Sequence, residues 1–146
     1  METSQQAISL GVQLGVTAGF VLLMTVIHAL GLVGISKLLR LEEDRLREHA
    51  FDVGAVMILA ALGLCLFALH IVEIVIFATF YLQVGAVESI ADALYLSSSA
   101  YATLGMTTEY FPVDWRLIAS LEALVGFILI GWSTAFMVSK MDKLTR

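Results

Sequence analysis

Residues 89–112 read "SIADALYLSSSAYATLGMTTEYFP". They lie between two long apolar runs, too polar to cross a membrane as one helix and too apolar for a plain surface loop. Ser89 and Asp92 have the S-x-x-D spacing of a capping box ahead of a helical pattern, which predicts a short helix over 89–102. At about 1.5 Å per residue it reaches only about 20 Å, short of the roughly 30 Å hydrocarbon core of a bilayer. A helix capped outside that enters part-way is expected to be re-entrant. Irregular backbone at membrane depth is tolerated only inside protein or beside water, so the polar strand from Thr103 must return through such a space to reach Pro112.

The flanking sequence sets this stretch in a membrane. The chain has 146 residues, 60% hydrophobic and 14% charged, with a mean hydropathy of +0.93. Its length suits one domain. No Asp, Glu, Lys or Arg occurs from Thr3 to Ser36 or from Val53 to Val72, and only Glu122 interrupts Leu117 to Ser139. A spanning helix needs about 20 mainly apolar residues, so three spans are expected, over 7–36, 53–82 and 114–139. The first lacks the basic leader and small-residue cleavage site of a signal peptide and is expected to stay. Neither an internal repeat nor a low-complexity tract is visible.

Lysine and arginine set the expected orientation. Lys37, Arg40, Arg45 and Arg47 fall between the first two spans, and Lys140, Lys143 and Arg146 in the tail. By the positive-inside rule both regions face the cytoplasm, which puts the N-terminus and residues 101–112 outside. The charged connector 37–52, with opposite charges three or four apart, is expected to extend the helices into the cytoplasm as a solvated face. With a net charge of −5 and no basic patch, nucleic acid is not an expected partner. Cys65, the single cysteine, reads as a packed small hydrophobe.

Several copies around an axis would bring the polar strand to the centre, where backbone carbonyls can replace a cation's hydration shell. The carbonyl end of each short helix would favour cations there. Consecutive carbonyls face one side when residues alternate between right- and left-handed conformations, and glycine takes the left-handed turns at little cost. Gly105 fits such a position, with the Thr103 hydroxyl adding a ring of oxygens below it.

"ALYLSSSAYATLG" (93–105), Pro112 and "WRLIASLEALVGFILIGWSTA" (115–135) resemble the pore domain of bacterial tetrameric potassium channels, in particular small three-helix, two-pore-domain-like prokaryotic members. The resemblance covers about residues 53–140. Its marks are a His-x-x-Glu in the outer helix, here His70 and Glu73, and an inner helix like Leu121 to Ala135. It implies an all-α homotetramer in a bacterial inner membrane. Residues 1–36 would then be a peripheral helix, 37–52 a connector and 53–146 the pore domain. Within that domain the outer helix is 53–82, the pore helix 89–102, the filter 103–108 and the inner helix 114–139. It also implies an ion-conducting filter at Thr103, Leu104, Gly105, Met106 and Thr107, a pore mouth at Thr108 and Glu109, and permeant potassium and sodium ions as the only metals. Gly126 and Gly131 have the spacing at which the superfamily's inner helix often hinges, although close helix packing explains them equally well.

The filter departs from the family's T-x-G-Y-G-D. Met106-Thr107-Thr108 stand where Tyr-Gly-Asp is expected; Met106 brings no bracing hydroxyl, and a β-branched Thr107 is costly at positive φ. One residue more than the pattern precedes Pro112. The expectation is a cation channel with weakened potassium selectivity. Glu109 is either an acidic ring at the mouth or an ordinary loop acid.

Ionisable groups inside spans are functional candidates by default, and four fall there: His28, His70, Glu73 and Glu122. Counting about 1.5 Å per residue from the outer helix ends, Glu122 lies roughly 12 Å deep, Glu73 roughly 15 Å and His70 roughly 20 Å. His70, Glu73 and Glu122, beside Tyr95 and Ser97 to Ser99, are expected to form a hydrogen-bonded cluster with the acids protonated. A proton-sensitive latch and a metal site are the sharper readings. His28, counted to the cytoplasmic end of the first helix, is expected to stand apart as a packing histidine. Ser133 and Thr134 either face cavity water or bond back to their own helix. The rivals to a channel are a non-conducting scaffold or accessory subunit and, ranked below it, an intramembrane metalloenzyme, which lacks a nucleophile set or a second histidine at depth. No catalytic residues are therefore assigned.

Overall fold

A computed structural model of the protein describes residues 9–46, 53–105 and 115–144. Four helices stand in these segments: α1 (Leu10–Leu46), α2 (Val53–Gln83), α3 (Ile90–Tyr101) and α4 (Arg116–Leu144). Stretches of 29, 31 and 27 residues in α1, α2 and α4 are long and apolar enough to cross a membrane. At about 1.5 Å per residue each exceeds the roughly 30 Å of hydrocarbon. The chain is a multi-pass membrane protein of all-helical class.

The helix boundaries follow local chemistry. α1 continues ten residues past Ser36, to Leu46. Between Gly34 and Gly54 there is neither glycine nor proline, and leucines, lysine, arginines and glutamates are good helix formers. α2 stops where Gly85 takes a left-handed φ of 68°. There the Ala86 N–H donates to the Tyr81 carbonyl and the Gly85 N–H to the Leu82 carbonyl, the paired bonds of a Schellman cap. Ser89 starts α3: its backbone is extended, and its hydroxyl oxygen accepts the Asp92 N–H at 3.1 Å. The Asp92 carboxylate in turn accepts the Ser89 hydroxyl proton at 2.6 Å.

The chain divides into two compact units, Met1–Met24 with Ile74–Phe127, and Thr25–Glu73 with Ile128–Arg146. In the first, Phe20 stacks on Phe77 with ring centroids 4.8 Å apart and meets the edge of Phe80. Phe77, Ala78, Tyr81, Ala93, Tyr101, Ile118 and Ala119 are all but fully buried there. In the second, Leu32, Ile35, Ile58, Leu62 and Leu66 form the core, with Cys65 packed against it as a small apolar side chain. Lipid is as apolar as leucine, so membrane helices associate through close packing and hydrogen bonds more than through apolar burial. Gly31 serves that purpose in the second unit, where Leu69 occupies the space a β-carbon would take.

Candidate functional site

The end of α3 is closed by an unusual residue. The Leu104 N–H donates to the Ser99 carbonyl and the Thr103 N–H to the Ala100 carbonyl. This repeats the hydrogen-bond pattern that ends α2, but Thr103 takes glycine's place with φ of 58°. A β-branched residue in that region is a genuine outlier, strained by about 1–3 kcal/mol. Gly105 is again left-handed, at 83°, and Leu104 between them is not. The backbone thus alternates in handedness over three residues. Leu104 is 80% exposed. Met106, Thr107, Thr108 and Glu109 lie outside the described residues, as does Pro112.

One face of α3 is held firmly. Ala93, Leu96, Ser97, Ser99, Ala100 and Tyr101 are buried. Gly126 of α4 lies directly against the backbone of Tyr101, where any β-carbon would run into the Tyr101 carbonyl. This glycine is therefore a contact residue, while nothing lies within 4 Å of where a β-carbon on Gly131 would stand. α4 is continuous through both.

Glu122 joins α2, α3 and α4. One carboxyl oxygen accepts the Tyr81 hydroxyl proton at 2.6 Å, and the other lies 2.6 Å from the Ser97 hydroxyl. Ser97 also reaches the Ile74 carbonyl at 2.9 Å. Ser98 bonds its own helix at the Tyr95 carbonyl, and Tyr95 itself is 72% exposed, so neither Tyr95 nor Ser98 belongs to this group.

Glu73 has a different set of neighbours. Its two oxygens lie 2.9 Å from Nδ1 of His28 and 3.0 Å from Nδ1 of His70. Glu73 and His28 are fully buried and the His70 side chain is 17% exposed. The expectation that His28 stands apart is overturned. That expectation rested on a first helix ending near residue 36; α1 runs to Leu46, so His28 sits at its midpoint rather than near its end. Nε2 of His28 faces the Ser133 hydroxyl at 3.4 Å, and the Trp132 ring lies beside His28, 5.4 Å between centroids. Thr134 bonds back to the Ile130 carbonyl.

Sequence reasoning missed both His28 and Tyr81 as partners of the buried acids. The available signal was that a buried carboxyl needs donors for both oxygens, which sends the search to every polar side chain on the facing helices. Among the described residues no buried side-chain nitrogen or oxygen lacks a hydrogen-bond partner. The order Ser133, His28, Glu73 is that of a nucleophilic triad. However, Ser133 is well inside α4, where amide N–H groups are spent on helix bonds and none is left to hold an oxyanion. The chain matches no protein-family model, and comparison with curated proteins and with solved structures found no match.

Proposed function

We propose that the protein is the subunit of a homotetrameric cation channel with a potassium-channel fold and weakened potassium selectivity. It would sit in a bacterial inner membrane with the N-terminus outside and the C-terminus in the cytoplasm. The observation that carries this reading is the alternation at the end of α3, φ 58° at Thr103 and 83° at Gly105 with Leu104 between them outside that region. Alternating handedness turns successive carbonyl oxygens to one side of the strand, which a dehydrated cation needs from each subunit. The strain at Thr103 gives it weight, because strained backbone persists only where the surroundings hold it.

Two features support the reading. The 12-residue α3 is too short to cross hydrocarbon, as a re-entrant pore helix must be. The exposure of Leu104 in the single chain suits a strand that three further copies cover. In this reading potassium and sodium pass a filter of Thr103, Leu104, Gly105, Met106 and Thr107, with Thr108 and Glu109 at the mouth. The first test is purification in a mild detergent with a mass measurement, which should give four subunits. The second is the reversal potential of the reconstituted protein under opposed potassium and sodium gradients. A current carrying both ions is expected. Monomeric particles, the absence of any flux, or a strictly potassium-selective current would each overturn the corresponding part of the proposal.

A further inference from the structure

We propose that His28, His70 and Glu73 form a binding site for a divalent transition metal ion of the zinc type. One ligand atom from each residue lies within 4.8 Å of the other two. Two imidazoles and a carboxylate are a donor set of zinc sites that keep an open fourth position. With metal–ligand bonds of about 2.0–2.1 Å, ligand atoms around a tetrahedral ion stand roughly 3.3 Å apart. The 2.9 and 3.0 Å separations between Glu73 and the two histidines are short of that by a few tenths of an ångström. The two short contacts use different Glu73 oxygens, and the three ligand atoms lie within 4.8 Å of one another. An ion is therefore admitted when the side chains turn to open the short contacts and bring the wider separation to about 3.3 Å.

The proton balance needs no external acid or base. Both imidazoles are taken as Nδ1–H tautomers, each with its Nδ1 facing a Glu73 oxygen. When Nδ1 turns its lone pair to the metal, the ring hydrogen moves to Nε2. For His28 that nitrogen already faces the Ser133 hydroxyl oxygen at 3.4 Å, which then accepts it. Metal-bound histidines almost always donate their other ring nitrogen to an outer partner that fixes the tautomer. Ser133 is such a positioning residue. Glu73 neutralises one of the two positive charges, and the open position takes a water or a small anion from solution.

The same chemistry separates this site from any conduction path. Imidazole nitrogens suit zinc, copper and nickel, whereas potassium and sodium take oxygen ligands. The site therefore stands or falls independently of the channel. It draws one ligand from α1 and two from α2, with Ser133 from α4, and so fastens α1 to its neighbours in this unit.

The test uses the full chain in detergent, stripped with a chelator and reloaded with Zn2+ or, as a spectroscopic probe, Co2+. One ion per chain should remain after desalting, and Co2+ should give the intense visible absorption of a four-coordinate site. A large excess of potassium or sodium should not displace it. His70→Ala and Glu73→Gln should lose stoichiometric binding, Ser133→Ala should weaken it about 10–100-fold, and Glu122→Gln should leave it unchanged. A pale, octahedral Co2+ spectrum in the wild-type chain, or uptake that survives both His70→Ala and Glu73→Gln, overturns the proposal as adventitious binding. Where a ligand variant fails to fold, the wild-type stoichiometry and spectrum decide.

Discussion

Glu73 and Glu122 are alike in everything except their neighbours. Both stand on long apolar helices, both are at most 1% exposed, and both engage each carboxyl oxygen at 2.6–3.0 Å. Hydroxyls surround Glu122, one from Tyr81 and one from Ser97; imidazoles surround Glu73, from His28 and His70. Serine and tyrosine hydroxyls are good hydrogen-bond partners but are not among the usual zinc ligands. The Glu122 group is thereby suited to tying α2, α3 and α4 together. Imidazoles share protons and also bind transition metals, so the Glu73 group can exchange its hydrogen bonds for an ion. Burial demands that each acid be satisfied, and the identity of the partners decides what else it can do.

Truncating either acid should produce the largest effect. Glu73→Ala and Glu122→Ala each remove a buried acceptor shared by two side chains, although Ser97 keeps the Ile74 carbonyl. At about 1–3 kcal/mol for each weakened group, unfolding in detergent should be easier by roughly 2–6 kcal/mol at most, and by less for Glu122→Ala than for Glu73→Ala. Supplied Zn2+ should raise the thermal midpoint of the wild type and of Glu122→Ala but not that of Glu73→Ala. Equal responses of the two variants would erase the distinction.

Glycine substitutions sharpen the contrast at the level of packing. Gly126→Ala pushes a methyl into the Tyr101 carbonyl, a backbone atom that cannot rotate away, and overpacking of this kind costs about 1–3 kcal/mol. Gly31→Ala meets the tip of the Leu69 side chain, with both δ carbons at 2.6 Å; a rotamer change there relieves most of the clash, so the loss should stay near 1 kcal/mol. Thermal unfolding of the two variants checks the order. In the channel reading, only Gly126→Ala also alters conduction, since it displaces the end of α3.

The smallest expected change is Thr103→Gly. Removing a left-handed β-branched residue relieves about 1–3 kcal/mol of strain, while glycine's extra chain entropy takes back about 0.5–1 kcal/mol. The variant should be slightly more stable than the wild type by chemical unfolding. It should also conduct with altered ion preference if the threonine hydroxyl lines the passage. A destabilised variant would mean that the hydroxyl makes a contact worth more than the strain.

Much of the frame was legible because it depends on neighbours in the chain. The three spans follow from runs without charge, and the start of α3 from Ser89 three residues ahead of Asp92. The stop of α2 agrees with Gly85, the residue type that takes a left-handed turn most cheaply. The end of α3 near residue 102 was also legible, but the left-handed turn at Thr103 was not, since Thr103 occupies a glycine's position and propensity alone argues against it. Depth counting failed for His28 because it depends on knowing where a helix ends, and the charged residues after Ser36 continue α1 instead of stopping it.

By itself the sequence determined that this protein is helical, crosses a membrane, and carries four ionisable side chains that cannot remain unpaired in hydrocarbon. Only the tertiary structure decided the pairing: His28 with Glu73, Tyr81 and Ser97 with Glu122, and the Tyr101 backbone against Gly126. Periodicity and hydropathy report energies that each residue carries with its immediate neighbours. A hydrogen bond between residues 45 or 105 positions apart depends on which faces of two helices meet. That is fixed by the packing of all the other side chains along them.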